Sequence, residues 1–193
     1  MQAWRDAQFP VTIVRPSYTY GPSWIPSGVG GHGYTIVHRL RSGLPIISHG
    51  DGQSLWVMTH TSDFAVGFCG LMGNSRTLGE AFHITSDEAL TWDVIYQQMA
   101  EAAGCQAQLV HISSDTIAAA YPDWGAGLLG DKMWCAVFDN SKVKRFVPDY
   151  VATIPFHEGI RRTLAWFQAD ERRMQVTPDD HARLERILAA RGT

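Results

Sequence analysis

The sequence predicts an α/β chain. Short apolar, β-branched runs at 11–14 and 81–85 have the pattern of strands buried on both faces. Between such runs lie segments with apolar residues at helical spacing, such as Val94, Ile95, Met99 and Ala102. Gly and Pro stand at most of the junctions.

In chain order, residues 1–8 read as the tail of a helix leading into a strand at 11–14, which Arg15-Pro16 stops. Residues 22–33 form a Gly/Pro loop, long enough to suggest a functional or mobile segment. A helix follows over 34–41, with Gly43 and Pro45 as stop signals. Strands are expected at 45–48 and 55–60, joined through Gly50-Asp51-Gly52. Thr61 or Ser62 then caps a helix over 63–72, and Asp63 suits its first turn. A buried strand over 81–85 precedes a helix capped by Thr91 and ended by Gly104. Further on come a strand at 108–112, a short helix capped by Ser113 or Ser114, and a helical turn at 141–146. A strong helix starts near Pro155, with Ile160, Leu164 and Phe167 on one side. Thr177-Pro178-Asp179-Asp180 opens the last helix: cap, proline, then two first-turn acids.

Composition narrows the function classes. The 193 residues suggest one or at most two domains, and 45% hydrophobic with 18% charged residues is globular. A net charge of −3 supplies no basic footprint for nucleic acid. Lys and Arg gather from Lys142 onward but alternate with acids, the pattern of a solvated face. Cys69, Cys105 and Cys135 fit neither a disulfide framework nor a zinc spacing and read as buried thiols in a reducing cytoplasm. No signal peptide opens the chain and no apolar run reaches ~18 residues, so a soluble, cytoplasmic protein is expected.

One stretch is the most informative: Val11-Thr-Ile-Val-Arg15-Pro16-Ser-Tyr-Thr-Tyr20-Gly21-Pro22. It is followed by Gly50-Asp51-Gly52, by His60-Thr-Ser-Asp63-Phe-Ala65, by Gly79-Glu-Ala-Phe-His-Ile-Thr85, by Thr91-Trp92 and by Phe138-Asp-Asn-Ser-Lys142. In this order and spacing the motifs resemble the extended short-chain dehydrogenase/reductases, the NAD-dependent epimerases and dehydratases, from Phe9 to about Phe167. The resemblance implies the C-terminal part of a Rossmann-type doubly wound fold plus a smaller α/β substrate-binding lobe. Residues 1–22 and 79–86 would be late strands of the cofactor sheet, 23–78 and 87–170 the lobe, and 171–193 a C-terminal helix. In that family a Gly-rich loop and a Tyr-x-x-x-Lys pair come earlier in the chain, and neither is present before Val11 here. The expectation is therefore a chain inactive alone, holding no catalytic residue and no metal, whose open strand edges need the missing N-terminal half or a second copy.

The resemblance also implies the site. Pro16, Ser17 and Tyr18 would pass beside the nicotinamide of NAD or NADP. Tyr18, Tyr20, His32 and Trp56 would face a small-molecule substrate. Many nucleotide-sugar members carry Asn where this chain has Tyr18, and Arg where it has Trp56. A Trp cannot pair with a diphosphate, so apolar or stacking contact is expected instead. His60 and Asp63 read as a strand end and a helix cap rather than a metal pair, His83 as a core histidine, and Asp139 to Lys142 as a cap and first turn. Gly28 to Gly33 lacks the strand–turn–helix setting of a phosphate loop. An alternative is a non-catalytic RNA- or partner-binding protein on the same fold. Residues 79–117, with Ser86-Asp87 and Thr91, resemble the chloroplast stem-loop RNA-binding relatives of the family.

Overall fold

The computed structural model describes residues 2–7, 9–31 and 33–191. The elements run α1 (Gln2–Ala7), β1 (Ile13–Pro16), β2 (Tyr18–Tyr20), α2 (Thr35–Arg41), β3 (Ile46–His49), β4 (Leu55–His60), α3 (Thr61–Leu71), β5 (Ala81–Ile84) and β6 (Ala89–Thr91). They continue with α4 (Trp92–Ala102), β7 (Leu109–Ile112), α5 (Ser114–Ala120), α6 (Pro122–Gly127), α7 (Ser141–Phe146), α8 (Phe156–Gln168) and α9 (Pro178–Ala190). A single π-helical turn, Leu128–Lys132, follows α6.

The strands form three small sheets. β1 pairs with β5 in parallel, Ile13 opposite Ala81. β4 lies between β2, in parallel, and β6, antiparallel. β3 pairs with β7 in parallel, so β3 and β4 are neighbours in sequence but not in a ladder. The expected grouping of 1–22 with the first sheet therefore divides: β1 joins β5, whereas β2 crosses into the sheet of β4.

Each sheet has its own core. The largest is built on Tyr20, Trp56, Trp92, Tyr96, Phe156 and Ile160. The β3–β7 pair is covered by Ile117, Leu184 and Ile187 from α5 and α9. Phe82 and Ile84 of β5 pack on Leu71, Val143 and Tyr150. Arg39, 1% exposed, ties α9 to this body. Its guanidinium donates to the Pro45 carbonyl at 2.8 Å and to Glu185 at 2.7 Å, so the buried charge is both paired and hydrogen-bonded.

Several expectations change. β1 extends through Arg15 and Pro16 instead of stopping there, which an edge strand allows because proline's missing N–H is not needed on the open side. Nor is it buried on both faces: Ile13 and Val14 are half-buried and Arg15 and Pro16 exposed, because β5 is its one partner among the described residues. An apolar groove of about 470 Å³ runs beside it, lined by Pro10, Val14, Phe68, Leu71 and Met72. β5 is buried on alternate residues only. The cap of α3 is His60, whose Nδ1 accepts from the Ser62 amide, not Thr61 or Ser62. Cys69 and Cys135 are exposed and Cys105 half-buried, contrary to the expectation of buried thiols. Thr91 and Ser113 cap α4 and α5 as the sequence suggests. Among the described residues, no helix is long and apolar enough to cross a membrane.

Asp63 illustrates how a first-turn acid becomes an anchor. It is 4% exposed and accepts from the Ile154 amide at 2.9 Å and the Thr153 hydroxyl at 3.2 Å. Those bonds fix the approach of the chain into α8. Replacing Asp63 by Ala leaves the Ile154 N–H buried and unpaired, so we expect a loss of about 2–3 kcal/mol in urea unfolding. A change below about 0.5 kcal/mol would show that the anchor carries no stability.

Candidate functional site

The site is built where the chain changes sheet. β1 ends at Pro16 and β2 begins at Tyr18, leaving Ser17 as the single connecting residue. The Ser17 hydroxyl donates to the Val57 carbonyl of β4 at 3.0 Å, which holds the crossing in place. Just beyond the carboxyl end of β1 lies an open, mostly apolar groove of about 250 Å³, lined by Pro16, Ser17, Tyr18, Thr19 and Trp24. Crevices outside the carboxyl ends of parallel strands are where α/β sheets bind ligands.

Tyr18 forms the groove's fixed wall. Its ring stands edge-on to Trp24, Trp56 and Trp92, at centroid distances of 6.3, 5.7 and 6.0 Å. Its hydroxyl donates to the Ser27 carbonyl at 3.1 Å. Burial pushes the phenol well above the usual tyrosine range, so the group stays neutral and serves as a strut rather than a proton carrier. Tyr96, fully buried, is pushed up to about 12 for the same reason and accepts from the Gly28 amide at 2.9 Å. Two tyrosines, one from β2 and one from α4, thus hold Ser27 and Gly28 of the loop, and residues 25–29 are buried. Trp24 stays 44% exposed at the groove mouth.

The other expected site residues lie elsewhere. Tyr20 is 1% exposed and packs against His60 and Phe156 at 5.5 and 5.3 Å. Its hydroxyl occupies the place a Cβ on Gly159 would need, so α8 can approach only through a glycine. Trp56 is 4% exposed, and its indole N–H donates to the Trp134 carbonyl at 2.9 Å and the Lys132 carbonyl at 3.2 Å. It supports Tyr18 from below instead of opening on the groove. His32 lies outside the described residues. His60 and Asp63 serve as cap and anchor, and Asp139 accepts from the Ser141 amide at 2.8 Å. His83 is half-buried and stacked on Phe138 at 4.9 Å.

Sequence reasoning missed Trp24, Thr19, Ser27 and His49. Trp24 could have been found as an aromatic inside a loop already singled out for its length. His49 has no such signal. Its Nε2 donates to the Lys132 carbonyl at 2.9 Å, because a carbonyl can only accept, and its ring meets Trp92 at 5.4 Å. Burial lowers the affinity of both His49 and His60 for a proton.

Known proteins share this fold. No known protein-family model matches the chain. It is 30% identical over 102 residues to the chloroplast stem-loop binding protein of 41 kDa b of Arabidopsis thaliana, covering 52% of this chain and 26% of that protein. It is 26% identical over 149 residues to the 2'-dehydrokanamycin reductase of Streptomyces kanamyceticus, covering 77% and 42%. Among solved structures, a dTDP-glucose 4,6-dehydratase from Bacillus anthracis in complex with NAD matches with a TM-score of 0.66 and 19% identity, over 89% of this chain and 49% of that one. An epimerase from Methanothermobacter thermautotrophicus matches with a TM-score of 0.69 and 20% identity, over 89% and 47%. The chain has the fold of the NAD-dependent epimerases and dehydratases. It spans about half the length of the solved structures and less of the curated relatives, in keeping with the C-terminal portion recognised in the sequence.

The two buried histidines give this fold a pH dependence. The unfolded chain takes up protons near pH 6.5, whereas burial keeps the folded rings neutral to lower pH. Their contribution is therefore complete above that pH and is lost as pH falls. Melting temperature should drop between pH 7 and 5, and His49→Gln should flatten the drop. Parallel curves for the two proteins would exclude His49 as a source.

Proposed function

We propose that this chain is the substrate-binding part of an NAD(P)-dependent epimerase, dehydratase or reductase that acts on a small polar or sugar-like substrate. The observation that carries the reading is the groove at the β1–β2 step, where Pro16, Ser17 and Tyr18 come together at the carboxyl end of a parallel strand. The fit to a nicotinamide rests on its lining: a proline and two aromatic rings beside a serine and a threonine, mostly apolar and with no side-chain charge. When bound, the cofactor would supply hydride transfer.

The residues of this chain bind and orient. The Ser17 hydroxyl is committed to Val57, so its contact with a carboxamide would be through the backbone. Tyr18, neutral and held by Ser27, fixes the ring face of the groove, and Trp24 at its mouth would cover a bound ring. Neither tyrosine of the segment is an acid/base: Tyr18 is bonded and Tyr20 is buried away from the groove, and burial raises the proton affinity of both phenolates. In this reading the proton-transfer pair and the phosphate loop come from a polypeptide segment that pairs with the open edge of β1 and covers its apolar groove. A cytoplasmic setting goes with that reading.

This chain should form no NADH or NADPH from any reduced substrate, followed at 340 nm. A longer polypeptide that includes a Gly-rich loop and Tyr-x-x-x-Lys should do so. There, Trp24→Ala is expected to raise KM about tenfold with kcat nearly unchanged, the signature of lost uniform binding. Turnover by the 193-residue chain alone would overturn the proposal.

The similarity to a stem-loop binding protein favours a second reading, a non-catalytic RNA-binding role. A net charge of −3 stands against it. It predicts retention of a structured RNA that weakens steeply with salt, and no retention at low salt would remove it.

A further inference from the structure

We infer that the depression beside Trp134 is a binding site for a compact ring that carries a protonated amine. It is an open hollow of about 470 Å³ between the turn after β3, the start of α5 and the segment 133–135, lined by Asp51, Gln53, Asp115, Met133 and Trp134 among others. It shares no lining residue with the groove at Ser17, so the inference holds whether or not the cofactor reading survives.

Trp134 is the unusual residue here. It is 61% exposed, whereas a tryptophan normally hides most of its large apolar surface. Its indole N–H donates to the Leu129 carbonyl at 3.0 Å, so the one polar atom of the side chain is satisfied within the fold and the ring is held in place. What the side chain has left to offer is its π face. Met133 beside it is also exposed and adds a polarizable wall. An aromatic face takes an apolar ring by contact and a cation through its quadrupole.

The walls of the hollow are tied to one another. The Gly50 amide donates to the Ile112 carbonyl at 2.8 Å, which joins the turn to β7. Asp93 accepts from Ser48, His111 and Gln53 at 2.7, 2.9 and 3.3 Å, so one carboxylate of α4 holds β3, β7 and the turn together. On the other wall, the Ala136 amide donates to the Leu55 carbonyl at 2.7 Å and the Leu55 amide to Cys135 Sγ at 3.3 Å. The three walls therefore keep their spacing without a ligand.

The charges set the class of ligand. The lining contains no Lys or Arg, and burial of His49 within it favours the neutral ring. Asp51 and Asp115 are exposed, and neither has a cationic partner among the described residues: His111 is engaged by Asp93 and Lys132 lies by Asp131. Asp51 spends one carboxylate oxygen on the Gln53 amide at 3.0 Å and keeps the other for a further donor. A phosphate or carboxylate would meet two negative charges with nothing to offset them. A protonated amine would meet two carboxylates, and the ring that carries it would lie against the indole. The volume takes one six-membered ring with its substituents.

The test titrates the full chain with cyclohexylamine and, separately, glucosamine at neutral pH and constant ionic strength, with cyclohexanol and glucose as their uncharged counterparts. The readout is the ¹H–¹⁵N shift of the Trp134 indole and of the Gly50 and Gly52 amides. Saturable shifts are expected with the amines. Binding should be about tenfold weaker for the uncharged rings, and about tenfold weaker for the amines in Trp134→Ala, followed there at the glycines. Asp51→Asn and Asp115→Asn should each weaken the amines by a factor of about two to five, because exposed charges are screened. The tighter of the two amines assigns a hydrocarbon ring or a sugar as the frame. Shifts that do not saturate, uncharged rings that bind as well as the amines, or an amine affinity unchanged in Trp134→Ala overturn the inference. Should Trp134→Ala fail to fold, the double variant Asp51→Asn, Asp115→Asn decides, because an unchanged affinity there overturns it equally.

Discussion

The structure turns on Trp92. It is wholly buried and meets Tyr18, Trp56, His49 and Tyr96 at 5.4–6.0 Å. Those partners come from β2, β4, β3 and its own helix α4, so one side chain connects two of the three sheets. Burying a tryptophan among other rings is worth several kcal/mol, a large share of a typical domain's stability. The consequence for the site is geometric. Tyr18 can form a wall because its ring is packed from beneath, and Ser27 and Gly28 are held because Tyr18 and Tyr96 reach them from that same core.

A second constraint is the crossing at Ser17. A chain that leaves one sheet after four residues and enters another one residue later cannot bury both strands in the same way. β1 is left half-covered, β2 is drawn onto β4, and the opening between them is the groove. The polar atoms at the crossing are spent on holding it, as with the Ser17 hydroxyl on Val57. The side chains left to face a ligand are proline, aromatic rings and one threonine. On the function proposed above, this composition would suit recognition by shape and backbone contacts.

The longer elements were legible in the sequence because their signals are local. Thr91 before an apolar-periodic run, Ser113 before a short one, and the Ile160–Leu164–Phe167 spacing each locate an element from its own residues. β2 and β6 were not, since three residues carry no period. The fate of Trp56 was not legible either. Core and ligand-facing tryptophans look alike in sequence, and only the carbonyls of Lys132 and Trp134 converging on its N–H separate them. The misjudged thiol Cys69 has a related cause. It sits on α3 beside exposed Phe68 and Met72, on a face apolar in sequence that nothing among the described residues covers.

The open edge of β1 and the groove at its end are best understood as one feature. A strand added in parallel to β1 would run in the same direction and end on the same side as the groove. Its following turn would then meet Pro16 and Ser17, and its far face would cover Val14 and the apolar lining beside Phe68 and Met72. Covering that lining is favourable by roughly 25 cal/mol per Å² of apolar surface, so the energy of completing the sheet and the geometry of completing the site have a common source. A polar substitution at Val14 that weakened such pairing would therefore disturb the groove without touching any residue in it.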